Sequence, residues 1–391
     1  MIVTALAFLP LAVWAYLLVG RGWFWLCRER DDSVASESEA PAAWPSVVAV
    51  IPARDEADLI AQCVGSLMRQ DYPGRFSLLV VDDQSSDGTA AAAAAAADAI
   101  DAGERLGVIA GSDVPSGWTG KLWAMRQGLA AVEAGAAPPE FVLFTDADIA
   151  YAPSTLSRLV AIAGAKNSVL TSLMVKLRCE SAAERWLAPA FVFFFQMLYP
   201  FAWVNDPRRG AAAAAGGCML VKREALGSAG GLEAVRGALI DDCALGTLMK
   251  RQGPIWLGLT NGARSLRAYP GFADFGRMVA RSAFAELRYS PLRLAGAVAG
   301  MGATYLAPPL LALFAEGVAR WAGALAWAMM AASLTPTLRL YGRPPAGGLA
   351  LPAVAAAYVV FTLESAAQYW RGRGGFWKGR VQAPMREAEG A

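Results

Sequence analysis

Three short apolar runs in the chain each lead into acidic residues. The runs occupy positions 47–51, 78–81 and 141–144, and the acids that follow are Asp55-Glu56, Asp82-Asp83 and Asp146-Ala147-Asp148. Unbroken apolar runs of this length predict strands buried on both faces of a parallel sheet. Because ligands bind beyond the carboxyl ends of such strands, we expect all three acidic clusters to lie along one edge. Carboxylates gathered there suggest a divalent cation with a phosphate ligand.

The segments between these runs have helical character. Helices are predicted at 57–70, 89–99 and 122–134, so strands and helices alternate. This alternation is typical of an α/β fold. Further along, Gly216-Gly217 before an apolar run predicts a turn where the backbone passes close to another group. We place the catalytic domain at residues 46–290.

The chain also begins with an apolar stretch. Residues 2–19 carry no charge and have about the length needed to cross a bilayer, while Arg21 and Arg28 follow them and no Lys or Arg precedes them. The positive-inside rule then predicts an N-terminal anchor at 1–20 with the rest in the cytosol. The alternative is a cleaved signal peptide, which carries its basic residues in front of the apolar segment. Residues 21–45 predict a cytosolic linker, acidic and aperiodic over 31–45.

Longer apolar stretches follow the predicted catalytic domain. Those at 294–314, 321–338 and 349–370 predict membrane segments within 291–370, followed by a basic-aromatic tail at 371–391. Three crossings would leave that tail outside the cell, whereas its cations favour the cytosolic face. The number of crossings therefore stays open.

One further apolar run, at 187–204, falls inside the predicted catalytic domain. As a membrane crossing it would place Asp146 and Asp242 on opposite sides, so they could not serve one site. We predict a helix lying in the membrane interface. A buried core helix interrupted at Pro200 is the alternative.

Composition narrows the class of protein. The chain of 391 residues is 56% hydrophobic and 17% charged, which argues against a purely soluble protein, and its net charge of +2 gives no case for nucleic acid. It contains no histidine, which removes the commonest general base and transition-metal ligand. Its five cysteines are scattered without CxxC spacing, so reduced thiols are expected rather than disulfides or a zinc site.

The first candidate for chemistry is the pair Asp146 and Asp148. At positions i and i+2 of a strand, both carboxylates would face one Mg²⁺ or Mn²⁺ that bridges the phosphates of a nucleotide diphosphate. A chance surface turn is the alternative. A carboxylate of Asp82 or Asp83 could accept the ring N–H of a uracil-type base, while a residue of 85–87 caps the next helix.

Charged residues at predicted helix starts are the next candidates. Lys121 would offer a cation to phosphate at a helix N-terminus, or be a solvated surface lysine. Asp241 and Asp242 suit a helix start for dipole reasons alone, but without histidine they are the best candidates for a base. Arg288 would reach a diphosphate, or meet lipid headgroups.

Taken in order, these residues resemble an inverting, family 2-type glycosyltransferase. The matching stretches are Pro52-Ala-Arg-Asp55-Glu56, Val81-Asp-Asp-Gln-Ser-Ser-Asp-Gly-Thr89, Gly120-Lys121, Thr145-Asp-Ala-Asp148 and Asp241-Asp242. The resemblance implies a GT-A fold, the Rossmann-like mixed α/β sheet of nucleotide-diphospho-sugar transferases, here with N-terminal and C-terminal transmembrane helices. More narrowly, the chain resembles the hopene-associated glycosyltransferases of bacterial hopanoid clusters. That likeness rests on 177–181, 190–209, 237–245 and 287–291.

Residue roles follow from this resemblance position by position. Pro52, Asp82, Lys121 and Arg288 belong to the implied nucleotide-sugar site. Asp55, Glu56 and Asp83 would hold the nucleoside, Asp146 and Asp148 the metal and diphosphate, and Asp242, beside Asp241, would be the base.

Two stretches depart from the family pattern. Asp55-Glu56 stands where Asn-Glu is usual, and Ala285-Glu-Leu-Arg288-Tyr289 replaces the Gln-x-x-Arg-Trp of chain-building synthases. The second departure favours a single sugar transfer over processive synthesis.

The expected protein is a multi-pass enzyme of the bacterial inner membrane whose catalytic domain faces the cytosol. It would move one sugar from a nucleotide-diphospho-sugar, a UDP-sugar by expectation, to a lipid alcohol such as a hopanoid. Ceramide, a carotenoid or a polyprenyl phosphate are alternative acceptors. An alternative of another class is a membrane transporter or scaffold with a nucleotide-sensing domain, which would not need Asp242.

Overall fold

The computed structural model describes residues 7–37, 41, 43–375, 378–379 and 382. The chain forms two compact units. Glu29–Arg178 and Trp203–Arg267 form one, here called the sheet unit, and Met1–Arg28, Cys179–Ala202 and Ala268–Ala391 form the other, here called the helical unit.

The sheet unit is built on one mixed sheet. Its strands are β1 (Val47–Ala53), β2 (Phe76–Asp82), β3 (Leu106–Ala110), β4 (Phe141–Phe144), β5 (Ile149–Tyr151), β6 (Leu170–Lys176), β7 (Met219–Lys222) and β8 (Ile255–Ser265). Their order is β3-β2-β1-β4-β7-β6-β8-β5. The first four are parallel, β7 runs antiparallel to β4 and β6, and β5 runs antiparallel to β8. Thus the predicted mixed α/β sheet is confirmed.

Helices accompany the strands in alternation. Numbered along the whole chain, those of the sheet unit are α2 (Asp31–Glu37), α3 (Ala57–Met68), α4 (Thr89–Asp98), α5 (Gly120–Glu133), α6 (Thr155–Ala165), α8 (Arg223–Ser228) and α9 (Asp241–Lys250). Helix α5 lies unusually close to the sheet: a Cβ at Gly128 would fall 2.5 Å from Cγ1 of Val50. Glycine therefore lets α5 approach β1.

The parallel strands bring the acidic clusters to one edge, as predicted. In the register, Ala53 lies beside Asp82, so β1 and β2 end level, while Phe144 lies beside Val50, so β4 ends three residues earlier and Asp146 and Asp148 follow at the same edge. Their apolar residues, including Val50 and Leu143, are buried in the core. Apolar burial fixes the strands and leaves the polar residues that follow them at the carboxyl edge.

The segment at 21–45, predicted as a linker, contains secondary structure in its described part. It contains α2, and Arg30 forms a β-bridge with Leu259. Asp31 is buried, and its Oδ2 accepts a hydrogen bond of 2.8 Å from Thr260 Oγ1. Composition indicated solvated chain here, but a buried hydrogen bond holds the segment to β8. Residues 38–40 and 42 lie outside the described residues.

The helical unit contains the remaining helices, apart from the four-residue helix Phe201–Val204, which the division after Ala202 splits. They are α1 (Leu9–Val19), α7 (Ala182–Leu198), α10 (Phe272–Ala280), α11 (Ala283–Glu286), α12 (Pro291–Met301), α13 (Ala307–Phe314), α14 (Gly317–Leu340) and α15 (Leu351–Trp370), with a π-helical segment at Gly302–Leu306. Helix α7 contains most of the apolar run at 187–204 and ends before Pro200. Leu187 and Phe193 are buried, and Tyr358 donates to the carbonyl of Leu187 at 2.8 Å. This burial favours the core-helix alternative over a helix lying on a membrane surface.

Packing places 268–290 with the C-terminal helices, unlike the predicted domain boundary at 290. The backbone N–H of Phe284 donates to Ser365 Oγ at 3.0 Å, and its ring lies 5.5 Å from that of Tyr369. This packing was not predicted because charged residues such as Arg277, Arg281 and Glu286 interrupt the apolar positions of 268–290.

Two stretches of the described chain are long and apolar enough to cross a membrane, Pro291–Phe314 and Pro345–Trp370. The predicted middle segment lies in α14, which is not among them. The described N-terminal helix, α1, has 11 residues and would extend about 16 Å, roughly half a bilayer core. Residues 1–6 lie outside the described part, so the N-terminal anchor stays a prediction. Most of the tail at 371–391 also lies outside it.

Candidate active site

Polar side chains gather at the ends of β1 and β2, around Asp55 and Asp83. The backbone N–H of Ser86 donates to Asp55 Oδ1 at 2.9 Å, and that of Ser85 donates to Asp82 Oδ1 at 3.1 Å. Asp83 is 2% exposed, and Arg54 donates to its backbone carbonyl at 2.6 Å. The predicted nucleoside-binding carboxylates are therefore brought together, with Asp82 and Asp55 fastened to the turn between β2 and α4. Pro52 lies within β1, beside Val81.

Glu56 and Asp148 are joined by an arginine that the sequence did not single out. Arg267 follows β8; its Nη2 lies 2.5 Å from Glu56 Oε1 and its Nε 2.8 Å from Asp148 Oδ2. Glu56 is 8% exposed, so a cation beside it offsets the cost of burying its charge. No local motif marks Arg267, because its partners lie over a hundred positions away in the chain.

Asp146 and Asp148 lie in the turn between β4 and β5 rather than in a strand. The predicted strand geometry for the pair is therefore wrong: the chain leaves β4 at Phe144, before the first aspartate. The two carboxylates contact different cations. Lys121 Nζ lies 2.8 Å from Asp146 Oδ1, while Asp148 pairs with Arg267.

Lys121 lies at the start of α5, as predicted, and contacts two carboxylates. Besides Asp146, its Nζ lies 3.1 Å from Oδ2 of Asp241. Burial disfavours the ammonium form, but the attraction of Asp146 and Asp241 outweighs it and raises the pKa of Lys121 above its ordinary value. Lys121 is therefore a permanent cation between β4 and α9.

Asp242 lies in the first turn of α9 with both carboxylate oxygens hydrogen-bonded. Oδ2 accepts from the backbone N–H of Gly216 at 2.9 Å, and Oδ1 from that of Cys243 at 2.8 Å. Burial, with repulsion from Asp241 next, raises the pKa of Asp242 to about 6, although Lys121 opposes the shift. A carboxylate tuned to this range can accept a proton near neutral pH.

Gly216 lies between Lys121 and Asp242. A Cβ at this position would fall 3.2 Å from Lys121 Nζ and 3.3 Å from Asp242 Oδ2. The predicted close approach at the glycine turn is thus found, and the groups approached are the ammonium and the carboxylate.

The segment 203–217, here called the strap, runs along α9. At the far end of the helix, Lys250 Nζ donates to the carbonyls of Val204, Asp206 and Ala211 at 2.5, 2.9 and 3.0 Å. In the middle, a Cβ on Gly246 would fall 2.6 Å from the carbonyl carbon of Ala213. Both ends of α9 therefore hold the strap, and the end near Asp242 supplies the N–H of Gly216.

Arg288 lies in the helical unit. It has a positive φ of 53°, and its backbone N–H donates to the carbonyl of Ala285 at 2.8 Å. Its predicted contact with a diphosphate stays a prediction.

The donor atoms of Asp146 and Asp148 fit a hard divalent cation. Mg²⁺ takes one or two carboxylates and completes its shell with water and phosphate oxygens. In the described part of the chain there is no cluster of three or more ligating side chains. The two carboxylates therefore suit an ion that takes its other ligands from a bound diphosphate and from water, rather than from further protein side chains.

Comparison with known proteins agrees with this architecture. One similar structure is a mannosyltransferase from Pyrobaculum calidifontis, solved with GDP-Man and Mn²⁺. The match covers 93% of this chain and 98% of that protein, at 19% identity and a TM-score of 0.51. A glucosyl-3-phosphoglycerate synthase from Mycobacterium tuberculosis, solved with Mg²⁺ and UDP, is 19% identical, with 63% of this chain and 79% of that one covered and a TM-score of 0.38. The first likeness shows a shared GT-A-like fold. No curated protein matches by sequence.

A family model supplies the sequence evidence. The model described as glycosyltransferase like family 2 matches residues 45–255, which is more than half of the 391-residue chain. The match includes β1, the turn with Asp146 and Asp148, and α9. The chain therefore belongs to glycosyltransferase-like family 2.

Proposed function

We propose that the protein transfers one sugar, with inversion, from a nucleotide-diphospho-sugar to a lipid alcohol, and that Asp242 is the general base. The observation that carries this proposal is the environment of Asp242: a partly buried carboxylate, oriented by two backbone N–H groups, with a pKa raised to about 6 by desolvation and by the neighbouring Asp241. General bases work best when their pKa lies near the working pH. With no histidine in the chain, this carboxylate is the best remaining candidate for the role.

In this mechanism Asp242 accepts the proton of the acceptor hydroxyl as its oxygen attacks the anomeric carbon. The N–H groups of Gly216 and Cys243 keep the carboxylate in one orientation. This orientation lets it take the proton while the acceptor oxygen attacks in line. Attack from the side opposite the diphosphate inverts the anomeric centre, so an α-linked donor gives a β-glycoside.

The leaving diphosphate is assigned to the groups around Lys121, Asp146 and Asp148. Lys121, at the N-terminus of α5, supplies a fixed positive charge there. A Mg²⁺ or Mn²⁺ on Asp146 and Asp148 would neutralise the charge that develops on the diphosphate. Asp55, Asp82 and Asp83, at the ends of β1 and β2, are assigned to the nucleoside, and UDP is the nucleotide we propose.

A lipid acceptor is supported by the helical unit. It contains the two stretches long and apolar enough to span a membrane, and Leu292, Phe314 and Val360, which lie on them, are exposed. Large apolar side chains exposed on such helices suit contact with lipid. We propose a hopanoid-like alcohol as acceptor and the bacterial inner membrane as the location, with the sheet unit in the cytosol.

Lipid mass spectrometry tests this function. Cells that carry the wild-type protein should contain a glycosylated polycyclic lipid, and cells that carry Asp242→Asn should lack it. If a glycosylated ceramide, carotenoid or polyprenyl phosphate is lost in the variant instead, the proposed acceptor is wrong and the proposed sugar transfer stands. An α-linked product from an α-linked donor would contradict the inverting mechanism.

A further inference from the structure

The guanidinium of Arg267 contacts two carboxylates that belong to different parts of the proposed donor site. It lies 2.5 Å from Glu56, which follows β1, and 2.8 Å from Asp148, which follows β4. The neighbouring backbone is fixed as well, because the N–H of Leu266 donates to the carbonyl of Asp148 at 2.8 Å. A planar guanidinium can serve two carboxylates at once, which an ammonium does less well.

The aspartate pair thus has a side-chain cation on each member. Lys121 lies on Asp146 and Arg267 on Asp148, each at 2.8 Å. These are the same carboxylates that suit a divalent ion. An ion that arrives alone must compete with both cations for oxygen atoms, and displacing Arg267 also weakens the charge compensation of Glu56, which is 8% exposed.

We propose that Arg267 is a positioning residue that competes with a divalent cation for Asp148, so that the site takes up the ion together with a diphosphate rather than alone. The proposal rests on the proposed function, since it assumes that a diphosphate binds here. A diphosphate offers the displaced guanidinium new anionic partners, because Arg pairs with phosphate oxygens as readily as with carboxylates. Binding of the ion and of the nucleotide are then coupled.

The test is a titration of the full-length protein in detergent with Mn²⁺ in the absence of nucleotide, with electron paramagnetic resonance used to measure binding. Arg267→Gln removes the competing cation and should bind Mn²⁺ about tenfold more tightly than wild type, as expected when a charged hydrogen bond is no longer displaced. Arg267→Lys keeps the positive charge but lacks the planar guanidinium that contacts two carboxylates. Its Mn²⁺ affinity should lie between those of wild type and Arg267→Gln. It also serves as the test variant if the glutamine variant does not fold.

Arg264→Gln is the matched control. Arg264 lies on β8, three residues before Arg267, and is exposed, so its removal changes the net charge equally but leaves Glu56 and Asp148 paired with Arg267. Screening by salt should keep its effect on Mn²⁺ affinity within about twofold. Thermal unfolding of each variant checks that it is folded.

Adding UDP gives the second readout. UDP should tighten Mn²⁺ binding strongly in wild type and less in Arg267→Gln. Equal Mn²⁺ affinity in wild type, Arg267→Gln and Arg267→Lys would overturn the inference, as would weaker binding or no binding in the variants. The assay needs no sugar transfer, so the two proposals can fail separately: tighter Mn²⁺ binding without transferase activity leaves only the function refuted, and activity without a change in affinity leaves only the role of Arg267 refuted.

Discussion

Lys121 joins Asp146 to Asp241, with Nζ–O distances of 2.8 and 3.1 Å. This contact links the turn after β4, where we place the diphosphate, to the helix that carries the proposed base. One cation therefore influences both halves of the reaction, and its removal should be visible in each.

Replacing the proposed base should separate chemistry from binding. Asp242→Asn keeps the shape but only one of the two acceptor oxygens, and it cannot take a proton, so turnover should fall about 10²- to 10⁴-fold. Affinity for UDP, measured by titration calorimetry, should change by less than about threefold, because the hydrogen bonds of Asp242 go to the backbone of Gly216 and Cys243 and not to the residues assigned to the nucleoside. A parallel loss of UDP binding would make the base assignment unsafe.

The rate should fall as the medium becomes acidic. The pKa of Asp242 is raised to about 6, so the carboxylate that accepts the proton is present above that pH and is lost below it. A profile of kcat/KM against pH should be level at neutral pH and fall tenfold per unit well below 6. A profile that is level down to pH 4 would contradict this assignment.

Two substitutions should move this acid limb in opposite directions. Lys121 lowers the pKa of Asp242 and Asp241 raises it. Lys121→Met should therefore shift the midpoint to higher pH, and Asp241→Asn to lower pH. The midpoint of the pH profile is the quantity compared, because both substitutions also change its height. Shifts of the same sign in both variants would mean that another group titrates.

The close packing of the strap on α9 predicts a large effect at Gly246. Alanine there would place Cβ 2.6 Å from a backbone carbon of Ala213, while the same change at Gly164, also helical, meets nothing within 4 Å. Gly246→Ala should lower the free energy of unfolding by about 1–3 kcal/mol. Gly164→Ala should leave it unchanged or raise it by up to about 1 kcal/mol. Thermal unfolding of the two variants in the same detergent makes the comparison, and equal melting points would contradict the packing.

Lys250 should matter for the strap in the same way. Lys250→Met leaves the carbonyls of Val204, Asp206 and Ala211 without their shared donor. We expect a loss of about 1–3 kcal/mol in unfolding free energy and a lower kcat, because Gly216 is no longer held beside Asp242. Lys166→Met, at an exposed position, is the control and should change neither. An unchanged kcat in Lys250→Met would separate the strap from catalysis.

Much of the sheet could be predicted because its strands are continuous apolar runs. β1, β2 and β4 stand where the runs are, and parallel pairing brings their polar ends together. Two later strands were less visible: β6 and β8 mix polar with apolar residues, and only their neighbours in the sheet explain their place.

The candidate site was foreseen where a local signal existed. Lys121 at one helix start and the acidic pair Asp241-Asp242 at another could be predicted from the local sequence. The structure brings Lys121 and Asp241 into contact. Arg267 and Lys250 could not, since their partners are distant along the chain and neither stands in a motif. For Asp31, acidic surroundings suggested solvent, and only the position of Thr260 reveals why it is buried.

The strap also dictates where the chain can change in length. Residues 211–216 meet α9 at Lys250, Gly246 and Asp242 in turn, so an insertion or deletion among them would release one of these contacts. Residues 207–210 are exposed, and Arg208 is 88% exposed in its side chain, so extra residues fit there without disturbing α9. When this chain is aligned with other glycosyltransferases, gaps therefore belong in 207–210 and not in 211–216.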